Sequence, residues 1–108
     1  MVRQIWPHEL KAKLEAGEPV QLVDVRQPEE YAICRLVGSQ LIPLGELHHR
    51  AGEIEPPTGA AVVVYCHHGI RSISGAAILG QFGLENVFSL AGGIDAWSQL
   101  IDPAVPRY

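Results

Sequence analysis

Cys66 and Arg71 are separated by His67-His68-Gly69-Ile70, and Ser72 follows. A cysteine is a nucleophile only as its thiolate. A helix N-terminus and nearby cations lower a cysteine pKa from about 8.5 to roughly 3.5–7.5. Arg71 keeps its charge at any relevant pH and presents a planar fork of donors to an anion. Gly69 permits a positive φ, so the backbone amides of His67, His68, Gly69, Ile70 and Arg71 can converge on one point. Together these residues supply a nucleophile, a ring of donors and a fixed cation. That set suits attack on an anionic substrate and storage of a covalent, thiolate-like product. A lone cysteine at a strand end is ordinarily a small buried apolar residue. An isolated arginine is ordinarily a solvated helix residue, and adjacent loop histidines are commonly just exposed. The combination at one strand-to-helix junction favours the reactive reading. Ser72 either caps the helix or donates to the sulfur.

Such a loop needs a strand before it and a helix after it. Ala60 to Tyr65 is the strongest strand in the chain, apolar on both faces. Ser72 to Phe82 reads as a helix ending near Gly83. The helix points its unpaired N–H groups and the positive end of its dipole at the loop. Upstream, Pro7 to Ala16 predicts a helix, with Pro7 in its first turn and Gly17 as its stop. Val20 to Val25 predicts a buried strand, and Pro28-Glu29-Glu30-Tyr31 a helix start. Leu41-Ile42 is a short strand candidate, and Leu44 to Ile54 a short irregular helix. Downstream, Asn86 to Leu90 predicts a strand, Gly92-Gly93 a turn and Ile94 to Leu100 a helix. Asp102 to Tyr108 predicts a tail. Strands alternating with helices define an α/β layer with a mainly parallel sheet, whose ligand sites lie at the carboxyl ends of its strands.

The chain has 108 residues, enough for one domain with a working core, and residues 1–108 read as a single domain. An apolar fraction of 47% with 19% charged residues predicts a globular fold rather than disorder. A formal net charge of -4 argues against nucleic acid as the main partner. The start MVRQIWPHEL has no signal-peptide pattern, and the longest apolar run is far too short to span a membrane. A cytoplasmic location is therefore expected. Cys34 and Cys66 make no disulfide framework. The pairs His48-His49 and His67-His68 lack the spacing of metal ligands.

The segment Cys66 to Ser72, CHHGIRS, resembles the active loop of single-domain rhodaneses. Leu22-Val23-Asp24-Val25-Arg26 with Glu29-Glu30-Tyr31 is similar to that family's first signature, and Ile42-Pro43-Leu44 to its continuation. Leu90 to Trp97, LAGGIDAW, is similar to its last signature. The four occur in the family's order and cover nearly the whole chain. The resemblance implies an α/β rhodanese-like fold: a central, mainly parallel five-stranded sheet flanked by helices on both faces. It implies a sulfurtransferase whose Cys66 takes a sulfane sulfur from a donor such as thiosulfate, forms a persulfide and passes the sulfur on. Acceptors would be a thiol or a sulfur-carrier protein. Neither metal nor organic cofactor, nor nucleic acid or membrane, is implied. The loop form also resembles rhodanese domains appended to sulfur-activating enzymes of cofactor biosynthesis.

Two further roles are assigned on these matches. Asp24 is expected to brace the active loop by accepting a hydrogen bond, and Arg26 to pair with Glu30. Trp97 is expected in the core. The family's usual Gly-His-Ile stretch is replaced here around Cys34-Arg35-Leu36. Cys34 at that departure is expected to be a buried inert thiol rather than a second sulfur carrier. A cysteine-dependent phosphatase or arsenate reductase is the competing enzyme class, but its loop is longer by one residue. A non-catalytic regulatory module of this fold is a further alternative, disfavoured because such modules often lack the cysteine.

Overall fold

The run Ala61–Tyr65 carries no charged side chain, so a strand made from it must be covered on both faces. In the computed structural model, which describes residues 2–108, it is the middle strand of the sheet. The elements are β1 (Arg3–Ile5), α1 (Pro7–Glu15), β2 (Val20–Asp24), α2 (Pro28–Ile33), β3 (Gln40–Leu41), α3 (Leu47–Arg50), β4 (Ala61–Tyr65), α4 (Arg71–Gln81), β5 (Val87–Leu90) and α5 (Gly93–Leu100). Short 3-10 turns at Leu44–Glu46 and Ala51–Glu53 flank α3, which accounts for the irregular helix expected there. The strand order is β1-β5-β4-β2-β3, and every pair is parallel.

Alternation along the strands divides the core in two. Ala61, Val63 and Tyr65 face a cluster with Leu10 of α1 and Ile94 and Trp97 of α5. Val62, Val64 and Cys66 face the other way, toward Leu47 of α3 and Ala76 and Leu79 of α4. Helices thus cover both faces of a five-stranded parallel sheet, and Trp97 is a core residue, 9% exposed. This period of two carries Cys66 to the side on which α4 begins.

Three features differ from expectation. The strand Arg3–Ile5 was not legible: it is three residues long and buries only Ile5. Helix α4 begins at Arg71, one residue earlier than predicted. The segment after α5 is irregular but attached, because the Ser98 hydroxyl donates to the Val105 carbonyl at 2.6 Å and Tyr108 returns to the sheet's carboxyl edge. No helix among the described residues is long and apolar enough to cross a membrane.

Candidate active site

The turn after β4 brings amides onto the sulfur. Gly69 has φ +95°, and a side chain there would place its Cβ 2.8 Å from the Gly92 nitrogen, so only glycine fits. The carbonyls are turned outward: the Cys66 carbonyl accepts from Ile94 N–H at 2.9 Å and the His67 carbonyl from Asp95 N–H at 3.1 Å. These are amides of the first turn of α5, which otherwise lack acceptors. Gly93, with φ +62°, makes the close approach possible, since a Cβ there would lie 2.5 Å from both carbonyl oxygens. With its carbonyls held by α5, the loop presents N–H groups inward. Gly69 N–H donates to Cys66 Sγ at 3.1 Å and Ser72 N–H at 3.3 Å. Cys66 is 1% exposed, and its sulfur faces the amides.

Ser72 does not cap α4. It is fully buried on the helix's first turn, with its Oγ 3.5 Å from Cys66 Sγ and 2.7 Å from Ser89 Oγ of β5. Ser89 was missed, and the signal for it was a hydroxyl inside the otherwise apolar strand Val87–Leu90.

The charges are arranged differently from the expectation. Arg71 does not hold its fork open for an anion; NH1 and NH2 donate to the two oxygens of Glu30 at 2.7 and 2.9 Å. The guanidinium holds the Glu30 carboxyl at about 2, well below its ordinary value. Glu30 therefore pairs with Arg71 and not, as expected, with Arg26. Nor does Asp24 brace the active loop. Its carboxylate accepts from the backbone N–H, Nε and NH2 of Arg26, at 2.9, 2.9 and 2.6 Å. The rest of the buried Arg26 guanidinium donates to the Cys34 carbonyl at 2.7 Å and the Tyr108 hydroxyl at 2.8 Å. Tyr108 in turn donates to Glu30 at 2.7 Å and stacks on the His67 ring at 3.9 Å. Burial pushes the Tyr108 phenol up to about 12.

His67 lies between Tyr108 and His68, and its Nε2 is buried without a hydrogen-bond partner. Burial, and then the neighbouring His68, push its pKa down, so it is not a standing cation at neutral pH. His68 is exposed, 3.9 Å from Asp95. Ile70 is 78% exposed and contributes backbone rather than side chain to the turn. Cys34 is buried in the core layer opposite the one that contains Cys66, so the two thiols do not face each other. No disulfide links them.

A parallel α/β sheet that carries a buried cysteine, with two main-chain N–H groups donating to its sulfur on a turn between strand and helix, defines a class of domain. The family model for the rhodanese-like domain matches residues 7–100. The chain belongs to that family. It is 35% identical to the probable adenylyltransferase/sulfurtransferase MoeZ of Mycobacterium tuberculosis, over 96% of the chain but 26% of that protein. The chain thus spans about a quarter of the length of this larger relative. It is 36% identical to the thiosulfate sulfurtransferase GlpE of Pseudomonas fluorescens, over 88% of the chain and 84% of that protein. The crystal structure of a rhodanese-like domain protein from Staphylococcus aureus is similar throughout, with a TM-score of 0.82, 28% identity and 99% of both chains covered.

Proposed function

We propose that this domain is a sulfurtransferase that moves a sulfane sulfur from thiosulfate to a thiophilic acceptor through a Cys66 persulfide. The observation that carries this reading is the convergence of the Gly69 and Ser72 amides on Cys66 Sγ. The amides of His67, His68 and Ile70 have no protein acceptor among the described residues, which leaves donors for a second sulfur atom. Thiosulfate as donor is supported by the likeness to GlpE.

In the first half-reaction the Cys66 thiolate attacks the outer sulfur of thiosulfate. The sulfur–sulfur bond of the donor breaks, and sulfite leaves with its electron pair. The new persulfide anion is stabilised by preorganised main-chain dipoles, as an oxyanion hole stabilises oxygen. In the second, a thiolate of the acceptor, either a small thiol or a cysteine of a sulfur-carrier protein, attacks the outer sulfur; the new persulfide forms on the acceptor as the Cys66 sulfur–sulfur bond breaks and returns the Cys66 thiolate. Arg71 serves as a fixed charge and an anchor for the loop, with its fork engaged by Glu30. Residues 1–108 are read as one such domain, and a cytoplasmic location, where both thiols would stay reduced, is part of this reading.

Intact-protein mass spectrometry after incubation with thiosulfate tests this. The wild type is expected to gain one sulfur atom, which cyanide removes, and Cys66→Ala is expected to gain none. An unchanged wild-type mass, or an equal gain in Cys66→Ala, refutes the proposal.

A further inference from the structure

We infer that Ser89 of β5 is a positioning residue for the nucleophile: acting through Ser72, it fixes the direction of a hydroxyl proton so that the proton is offered to the sulfur of Cys66. The inference rests on the reading of Cys66 as the nucleophile.

Ser72 and Ser89 are both fully buried. A serine hydroxyl has one proton to donate, and a buried donor left unused is unfavourable. The Ser89 hydroxyl has one partner among the described residues, Ser72 Oγ at 2.7 Å. Its proton therefore goes to Ser72. The Ser72 proton then has one remaining neighbour, Cys66 Sγ at 3.5 Å. The chain runs from Ser89 to Ser72 to Cys66, and with the amides of Gly69 and Ser72 it aims three donors at one sulfur. With a thiol proton on Cys66 there would be three protons for the two contacts, Cys66–Ser72 and Ser72–Ser89, so one buried donor would be left without an acceptor. The pair of hydroxyls thus favours the anionic sulfur of both the resting thiolate and the persulfide.

Packing alone does not call for a hydroxyl at position 89. Ser89 lies in register with Val64, and the hydrophobic cluster on that face of the sheet includes Val62, Val64, Ala76 and Leu79. An apolar side chain there would avoid burying a polar group.

The test is the rate of Cys66 alkylation by iodoacetamide, read by peptide mapping from mildly acid to alkaline pH. Ser89→Ala is expected to react roughly tenfold more slowly than the wild type at neutral pH, equivalent to about one pH unit. The deficit is expected to vanish at alkaline pH, where the sulfur is ionised in both proteins. Ser72→Ala should show the same deficit, and adding Ser89→Ala to it should slow the reaction no further, because Ser89 acts only through Ser72. Ser89→Thr and Ser89→Val share one shape and differ by the hydroxyl. Thr should keep the faster profile, and this comparison decides the matter if Ser89→Ala does not fold. The charged groups around the loop, Arg26, Glu30, Arg71, Asp95 and the two loop histidines, are the same in every variant. Coincident profiles for Ser89→Ala and wild type, a deficit constant with pH, or an undiminished effect of Ser89→Ala on the Ser72→Ala background overturns the inference. Alkylation needs no sulfur donor, so it judges Ser89 independently of the thiosulfate experiment.

Discussion

The groups within hydrogen-bonding reach of the Cys66 sulfur are two amides and a hydroxyl, all uncharged, while the cation nearest in sequence is tied to a carboxylate. Arg71 was legible as a residue of the loop, but its partner was not. Glu30 lies 41 positions away, and only the fold brings α2 against the head of α4. The pair makes a pH prediction. The Glu30 carboxyl sits at about 2 in the fold, against an ordinary 4.5, with the Arg71 hydrogen bond as the chief cause. A carboxyl depressed in the fold contributes stability that is fully present above its ordinary pKa and is lost as pH falls through the folded value. The contribution should therefore hold at neutral pH and disappear between about pH 4.5 and 2. The Arg71 side chain is 37% exposed, so solvent screening trims the effect to about 1–2 kcal/mol. Thermal melts across this range should show a shallower acid decline in Glu30→Gln than in the wild type. Parallel declines would mean that the ion pair adds nothing to stability.

Helix α5 matters to the site through its first turn alone. In the sequence CHHGIRS and LAGGIDAW are separate motifs with 17 residues between them, and Gly92-Gly93 reads as a turn. In the fold Gly93 lets the α5 amides hold the Cys66 and His67 carbonyls, which forces the loop's N–H groups inward. Gly93→Ala combines a left-handed φ with a backbone clash, and is expected to cost about 1–3 kcal/mol of stability and to slow Cys66 alkylation. Gly59→Ala is the control. Its φ is +79°, but nothing lies within 4 Å of the added Cβ, so it should lose some stability and leave Cys66 reactivity unchanged. Equal effects of the two substitutions on alkylation would show that the carbonyl contacts do not shape the loop. The longer elements were readable because β-branched runs and Gly or Pro punctuation agree with their environment. Strands β1 and β3 were harder to read, having three and two residues, too few for a period to register.

Arg26 joins regions that are remote along the chain, and this is where reading the sequence fell furthest short. As a charge after a strand it suggested a structural pair with Glu30. Instead it is fully buried, bound to Asp24, to the Cys34 carbonyl at the end of α2, and to Tyr108 near the other end of the chain. Local pattern carries no information on a partner 82 positions away. Tyr108 extends the network to Glu30 and, by stacking, to His67, so the arginine buried beneath β2 and the active loop share one set of contacts. Removing one member of a buried ion pair leaves the other charged and unsolvated, which typically costs about 3–5 kcal/mol. Arg26→Ala should therefore lower the melting temperature by more than about 10 °C, given the steep dependence of melting on stability for a domain of this size. Replacing both partners, as in Asp24→Leu with Arg26→Met, should be the milder change, because no buried charge is left alone. If the double variant melts as low as Arg26→Ala, the fold depends on the arginine's hydrogen bonds to Cys34 and Tyr108 rather than on neutralising Asp24. Cys66 alkylation in the double variant would then show whether those contacts reach the loop.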